Sequence, residues 1–265
     1  MAEEDKDMPF LSHLEELRWR LMKSTIAVLL VAVVIFIFID WITNNIFLNL
    51  AKPDFPLFRF FCWAFHLCVD KININYQSTE VTGQFGTSLL VAFLGGVVVA
   101  FPYIFYQVWG FVRPGLKQNE LKQARGLIVF VSVLFFMGIG FGYFVIAPLT
   151  VQFFGNWTMA EKVVNNFRIG NYISVIASTV FFTGLLFLMP VVIMIFSKLG
   201  IITSAWLKKY RKHAFVGVLI IAAIITPPDL FTQIIVSIPI VLLYELGILI
   251  AKRIEKRRYH DSISR

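Results

Sequence analysis

Charged residues are scarce in this sequence, and their scarcity decides its class. Only 15% of the 265 residues are Asp, Glu, Lys or Arg, whereas 58% are hydrophobic and mean hydropathy is +0.77. Soluble domains carry about 25% charge, so the chain has too little polar surface for a cytosolic enzyme. Cysteine is rarer still: two residues, Cys62 and Cys68, exclude a disulfide-dense secreted scaffold. Both an oxidised pair and two free thiols fit their spacing. The usual marks of catalysis are missing as well. The four histidines (His13, His66, His213, His260) share no metal spacing, and Asn156-Trp157-Thr158 is a chance-level sequon. No Gly-x-Ser-x-Gly elbow, phosphate-binding Gly-Lys-Ser/Thr loop or catalytic carboxylate pair occurs. The sequence therefore reads as a non-enzyme that needs no metal and no cofactor.

What the chain does have is long apolar runs. Crossing about 30 Å of hydrocarbon takes around 20 apolar residues in a helix, and six segments qualify or nearly so, at about 24–42, 85–108, 127–149, 172–197, 214–226 and 232–251. They are continuously apolar, unlike the alternating strands of a membrane barrel. An all-α polytopic membrane protein in one integral domain follows. The net charge of +8 is a topology signal and not a nucleic-acid footprint. Of the 24 Lys and Arg, nineteen fall in 1–23, 109–126, 198–213 and 252–265, and five on the other side. By the positive-inside rule both termini are cytoplasmic, with anionic lipid attracted to the same face. The acidic stretch Glu3-Glu4-Asp5 before the first run, and the lack of a small-residue cleavage site, make that run an anchor. Neither a repeat unit nor inverted symmetry of the halves is visible, which argues against a secondary transporter.

Local irregularities stand out from this frame. The fifth run has 13 residues before Thr226-Pro227-Pro228-Asp229, where Pro227, Pro228 and Asp229 make an abrupt turn, and Pro239 interrupts the sixth run. A short helix hidden in a bundle and a locally thinned membrane both fit. Phe55 to Cys68 is rich in aromatic residues and suits a helix at the headgroup level. The alternation of Lys71-Ile-Asn-Ile-Asn-Tyr76 suggests a short extended piece.

On a basic face the acids are the informative residues. In Ser12-His13-Leu14-Glu15-Glu16-Leu17-Arg18-Trp19-Arg20, Ser12 with Glu15 fits a capping box. Glu16 is spaced to pair with Arg20 at i,i+4 or to receive a guanidinium from a visiting peptide in planar geometry. Glu120 is the one acid of the loop after Pro114-Gly115, between Lys117 and Lys122, and admits the same two readings. Glu245 lies about 10 Å inside the sixth run, where a carboxylate either pairs with a neighbouring helix or serves a function. A proton-coupled small-solute transporter using Glu245 is the alternative function.

These segments, in order, resemble the TatC family, the multi-spanning subunit of the twin-arginine protein translocase. The matching strings are Ser12 to Arg18, Tyr106-Gln107-Val108-Trp109 with Phe111, Pro114 and Glu120, and Gly142-Tyr143-Phe144 with Pro148. Thr226-Pro227-Pro228-Asp229 with Gln233, and Pro239 with Tyr244-Glu245-Leu246-Gly247, complete the set. The resemblance implies a concave, glove-like arrangement of six helices. It implies recognition of twin-arginine signal peptides on folded cargo and assembly with single-span Tat subunits of the TatA or TatB type. Transport is then driven by the proton-motive force across a bacterial inner membrane, with the chain one member of an oligomeric complex. It further implies that Glu16, Glu120, Arg18, Phe111 and Leu116 form the signal-peptide site, and that Gln233 lies on the partner-docking face. The family often has Glu where this chain has Leu188, just before Pro190. Thr183, one turn earlier, is then the candidate polar substitute.

Overall fold

The computed structural model describes residues 10–66, 74–112, 124–158, 165–225 and 230–263. Helices dominate because the lipid-facing runs have no solvent for their backbone polar groups, which therefore close hydrogen bonds within each segment. They are α1 (Phe10–Ile37), α2 (Pro56–Phe65), α3 (Gly83–Val112), α4 (Ala124–Phe141), α5 (Ala147–Asn156), α6 (Ile169–Leu186), α7 (Met189–Leu199), α8 (Ser204–Lys209), α9 (Arg211–Ile225) and α10 (Leu230–Ile263). Among the described residues two short strands, β1 (Asn75–Gln77) and β2 (Asn166–Arg168), pair in parallel with Tyr76 opposite Phe167. Among the described residues, five stretches are long and apolar enough to cross a membrane: Leu14–Ile37, Gly83–Phe111, Gly126–Asn156, Ile169–Leu199 and Gln233–Lys256. The expected sixth is α9, whose 15 residues reach only about 22 Å.

The chain divides into two compact units, Met1–Ile39 with Ser88–Ser132, and Asp40–Thr87 with Val133–Arg265. In the first, α1 and α3 approach closely where α3 carries Gly95-Gly96. A Cβ on Gly95 would meet Ile35 Cδ1 at 2.8 Å, and one on Gly96 the Val28 carbonyl at 2.8 Å. Small residues bring helices together in this way where no hydrophobic effect drives them.

The second unit uses the same device between α4 and α6. A Cβ on Gly138 would lie 2.9 Å from Gly184 Cα, and one on Gly142 3.0 Å from Val180 Cα. A π-helical turn, Gly142–Ile146, joins α4 to α5; Pro148, which has no N–H to give, follows it. Tyr143 donates its hydroxyl to the Ile46 carbonyl at 3.0 Å, and Tyr172 donates to Phe47 at 3.0 Å. The π and 3-10 turns over Thr43–Phe47 and Leu48–Ala51 are thereby pinned to the unit's core. Gly142-Tyr143-Phe144 is thus a packing motif. Between α6 and α7, Pro190 sits in the first turn of α7 and Leu188 is the residue that caps it. The missing N–H of Pro190 breaks the helix there.

At the carboxyl end, α10 packs along α7 and α9. Ile146, Val218, Ala222, Val236 and Ile240 form one buried cluster; Ile193, Leu207, Ile248 and Ala251 form another. Gly247 admits the close approach of Ile193 Cδ1.

Several expectations change. The helix is already running at Phe10, so Ser12 is an interior residue and not the cap of a capping box. Phe10, Leu14, Leu17 and Leu21 continue one apolar stripe upstream. Pro239 does not interrupt α10, which runs through it for 34 residues, as helices in apolar surroundings tolerate when neighbours support them. The aromatic segment is an amphipathic helix, α2, with Phe58 buried and Trp63 80% exposed. Cys62 is disulfide-bonded; Cys68, the only other cysteine in the sequence, lies outside the described residues. Of the alternating Lys71–Tyr76 piece, Asn75 and Tyr76 belong to β1 and residues 71–73 are outside. Its partner β2 was not anticipated. Tyr76 meets Tyr172 edge-on at 5.0 Å, and burial pushes its phenol above the ordinary range. Pro227, Pro228, Asp229, Pro114, Leu116 and Glu120 also lie outside the described residues.

Candidate functional site

The candidate site grows from the first turns of α1. There Glu15 and Arg18 are exposed. Glu16 and Arg20 are half-buried, each side chain 27% exposed. Glu16 Oε1 accepts from Arg20 Nε at 2.8 Å and from Nη2 at 2.6 Å. Two donors of one planar guanidinium thus grip a single carboxylate oxygen, the charge-assisted geometry that arginine makes and lysine cannot.

The last turns of α3 complete the surroundings. Arg20 Nη1 donates to Gln107 Oε1 at 3.4 Å, a contact between residues 87 positions apart, and Gln107 is buried. Gly110, one turn further along α3, leaves the space that the guanidinium occupies. A Cβ there would overlap Arg20 Nη1. Ser24, one turn after Arg20, donates its hydroxyl to the Arg20 carbonyl at 3.0 Å and is itself buried. Trp109 is buried with its indole N–H unpartnered, and Phe111 is half-buried at the end of the helix. The Tyr106–Trp109 string therefore supplies a buried amide and a buried ring.

Sequence reasoning found Glu16 and its spacing to Arg20. It missed Gln107 and Gly110 as partners, because only the packing of α3 on α1 reveals them. The turn at Pro114-Gly115 was visible, and the residues between it and Glu120 lie outside the described residues.

The remaining predicted positions belong to the second unit. Gln233 donates from Nε2 to the Leu219 carbonyl at 3.2 Å and so links α10 to α9. Thr183 is buried and donates to the Thr179 carbonyl at 2.7 Å, which commits its hydroxyl to its own helix. Glu245 is not isolated: its Oε2 accepts from Arg211 Nη2 at 2.5 Å, both side chains partly exposed. A further acid, Glu255, was overlooked. It accepts from the Ser204 backbone N–H at 2.6 Å and from the Ser204 hydroxyl at 2.5 Å, closing the amino end of α8. Tyr244 donates to the Leu207 carbonyl at 2.8 Å on the same side. Among the described residues no cluster of three His, Cys, Asp or Glu is placed to hold a metal ion.

Comparison with known proteins bears on this arrangement. The family model described as Sec-independent protein translocase protein (TatC) matches residues 12–239. A protein of that name from Blattabacterium sp. subsp. Periplaneta americana is 36% identical over 97% of this chain and 100% of its own length. Its namesake from Escherichia coli K12 is 31% identical over 95% of this chain and 91% of its own. A crystal structure of a twin arginine translocase receptor, TatC, superposes with a TM-score of 0.69 at 30% identity. It covers 92% of this chain and 99% of that one.

Proposed function

The chain belongs to the TatC family of Sec-independent protein translocase proteins, a transport component and not an enzyme, and from that membership we propose that it is the subunit that receives twin-arginine signal peptides. One observation carries the reading. The Glu16 carboxylate sits half-buried at the end of α1 and already accepts a guanidinium through two hydrogen bonds. A carboxylate so placed suits the arginine of a ligand as well as it suits Arg20. Glu120 supplies a second carboxylate for the second arginine, with Arg18, Phe111 and Leu116 around them.

The positive-inside count puts this face, and both termini, in the cytoplasm. The host membrane is a bacterial inner membrane, whose anionic lipid faces the basic loops. Folded cargo arrives there with its signal peptide. Single-span Tat subunits dock along α9 and α10, where Gln233 bridges the two helices. A groove of about 430 Å³ lies there, lined by Phe215, Val218, Val241 and Tyr244 among others. The short α9 leaves the bilayer thinner locally, which lowers the barrier to passage once the complex assembles and the proton-motive force acts.

The test is export of a reporter carrying an Arg-Arg signal peptide. Glu16→Ala and Glu120→Ala should each stop export while membrane levels of the protein stay unchanged. Normal export in both variants would contradict the reading.

A further inference from the structure

We infer that Arg20 is an internal competitor for the ligand's arginine: the chain fills its own guanidinium site, and a signal peptide binds by displacing Arg20 from Glu16. This inference rests on the receptor reading above and adds a device that sets its affinity.

The slot is built on three sides. Glu16 provides the acceptor, at 2.8 and 2.6 Å from two guanidinium nitrogens. Gln107 provides a buried amide oxygen 3.4 Å from the third. Gly110 provides bare backbone, and any Cβ there would fall on the guanidinium. An i,i+4 pair on an open helix is weak and frays, whereas here a second helix holds the donor in place. The pair still keeps about a quarter of its surface in contact with solvent, so Arg20 has a route out and a ligand a route in.

Competition has a quantitative signature. When a binding-competent state is only partly populated, apparent affinity falls by that fraction, whatever the ligand. Arg20 on Glu16 is the incompetent state. Removing Arg20 should therefore tighten every ligand of Glu16 by one common factor and leave the ratio between ligands unchanged. A residue that shaped the site for arginine would change that ratio instead.

The experiment measures binding of a fluorescent Arg-Arg signal peptide and its Lys-Lys twin to the full chain. Nanodiscs of phosphatidylethanolamine and phosphatidylglycerol hold the wild type, Arg20→Gln, Arg20→Lys and Glu16→Ala. Arg20→Gln should tighten both peptides about fivefold, the population shift of a partly solvated ion pair. Arg20→Lys, which keeps the charge and loses the fork, should tighten both by a smaller factor. Unchanged or weaker binding in Arg20→Gln, with Glu16→Ala still losing the peptide, would overturn the inference alone. A changed Arg-Arg to Lys-Lys ratio in Arg20→Gln would overturn it too. Full binding by Glu16→Ala would overturn the receptor reading and this inference together.

Discussion

Carboxylates at the two ends of the chain answer to different demands. In the first unit, Glu16 is held by an arginine four residues away on its own helix, and that arginine also reaches Gln107 on a neighbouring helix. In the second, Glu245 reaches Arg211 on another helix, and Glu255 spans 51 residues to close the amino end of α8. The carboxyl-terminal acids fasten elements to one another. Replacing their partners would loosen contacts between elements, so they are poorly suited to exchange. Glu16 is bound within its own helix, by an arginine that keeps a partly open route to solvent. Acids with the same chemistry thus differ in what they hold, and on the proposed receptor reading the one held within its own helix is the one that binds a ligand.

This contrast can be broken first at Glu255. Its two oxygens satisfy a backbone donor at a helix start and a hydroxyl, a pair of charge-assisted bonds. Glu255→Ala should destabilise the protein by about 1–3 kcal/mol, seen as a lower melting temperature in detergent, with peptide affinity unchanged. A melt matching wild type would remove the fastening role. A smaller effect is expected at the other cross-helix acid. The Glu245–Arg211 pair is partly exposed on both sides, so its coupling energy should fall in the range of about 0.2–1 kcal/mol. A double-mutant cycle of Glu245→Gln and Arg211→Gln on the same melt measures it. A coupling of several kcal/mol would show that Glu245 is sealed from solvent and reopen the question of a proton role there.

Legibility from the sequence follows the reach of each interaction. The apolar runs could be read directly, since lipid imposes length and hydropathy on every spanning segment. The Glu16–Arg20 spacing was readable because both residues share a helix. The aromatic run of α2 was readable for the same reason. The mates of Arg20 and Glu255 could not be found, because Gln107 and Ser204 are brought to them by packing across dozens of residues. Similarly, β1 finds β2 only because the segments that carry them converge. Ser12 misled because a cap signature inside an apolar stripe carries less weight than the stripe itself. Pro239 misled because a proline rule learned in water overstates the cost in a helix supported by α7 and α9. Gly142 and Tyr143 were recognisable as part of a family string, while their work, close packing and pinning of the Thr43–Ala51 turns, required the coordinates.

Two of these lessons bear on the transport reading. Thr183 turns its hydroxyl onto its own helix, and Gln233 finds its partner in the α9 backbone. These two side chains of the second unit are thus occupied by internal bonds, as Glu245 and Glu255 are. On the proposed receptor reading, recognition of charge falls to Glu16 and Glu120.

The most direct measurement places a photo-crosslinker at Leu116 in native membranes and offers an Arg-Arg signal peptide or its Lys-Lys twin. A guanidinium-reading receptor predicts strong labelling with Arg-Arg that falls with Lys-Lys and disappears in the Glu16→Ala background. Equal labelling by the two peptides, or none by either, would contradict it and leave the Glu16–Arg20 pair as a surface contact of α1.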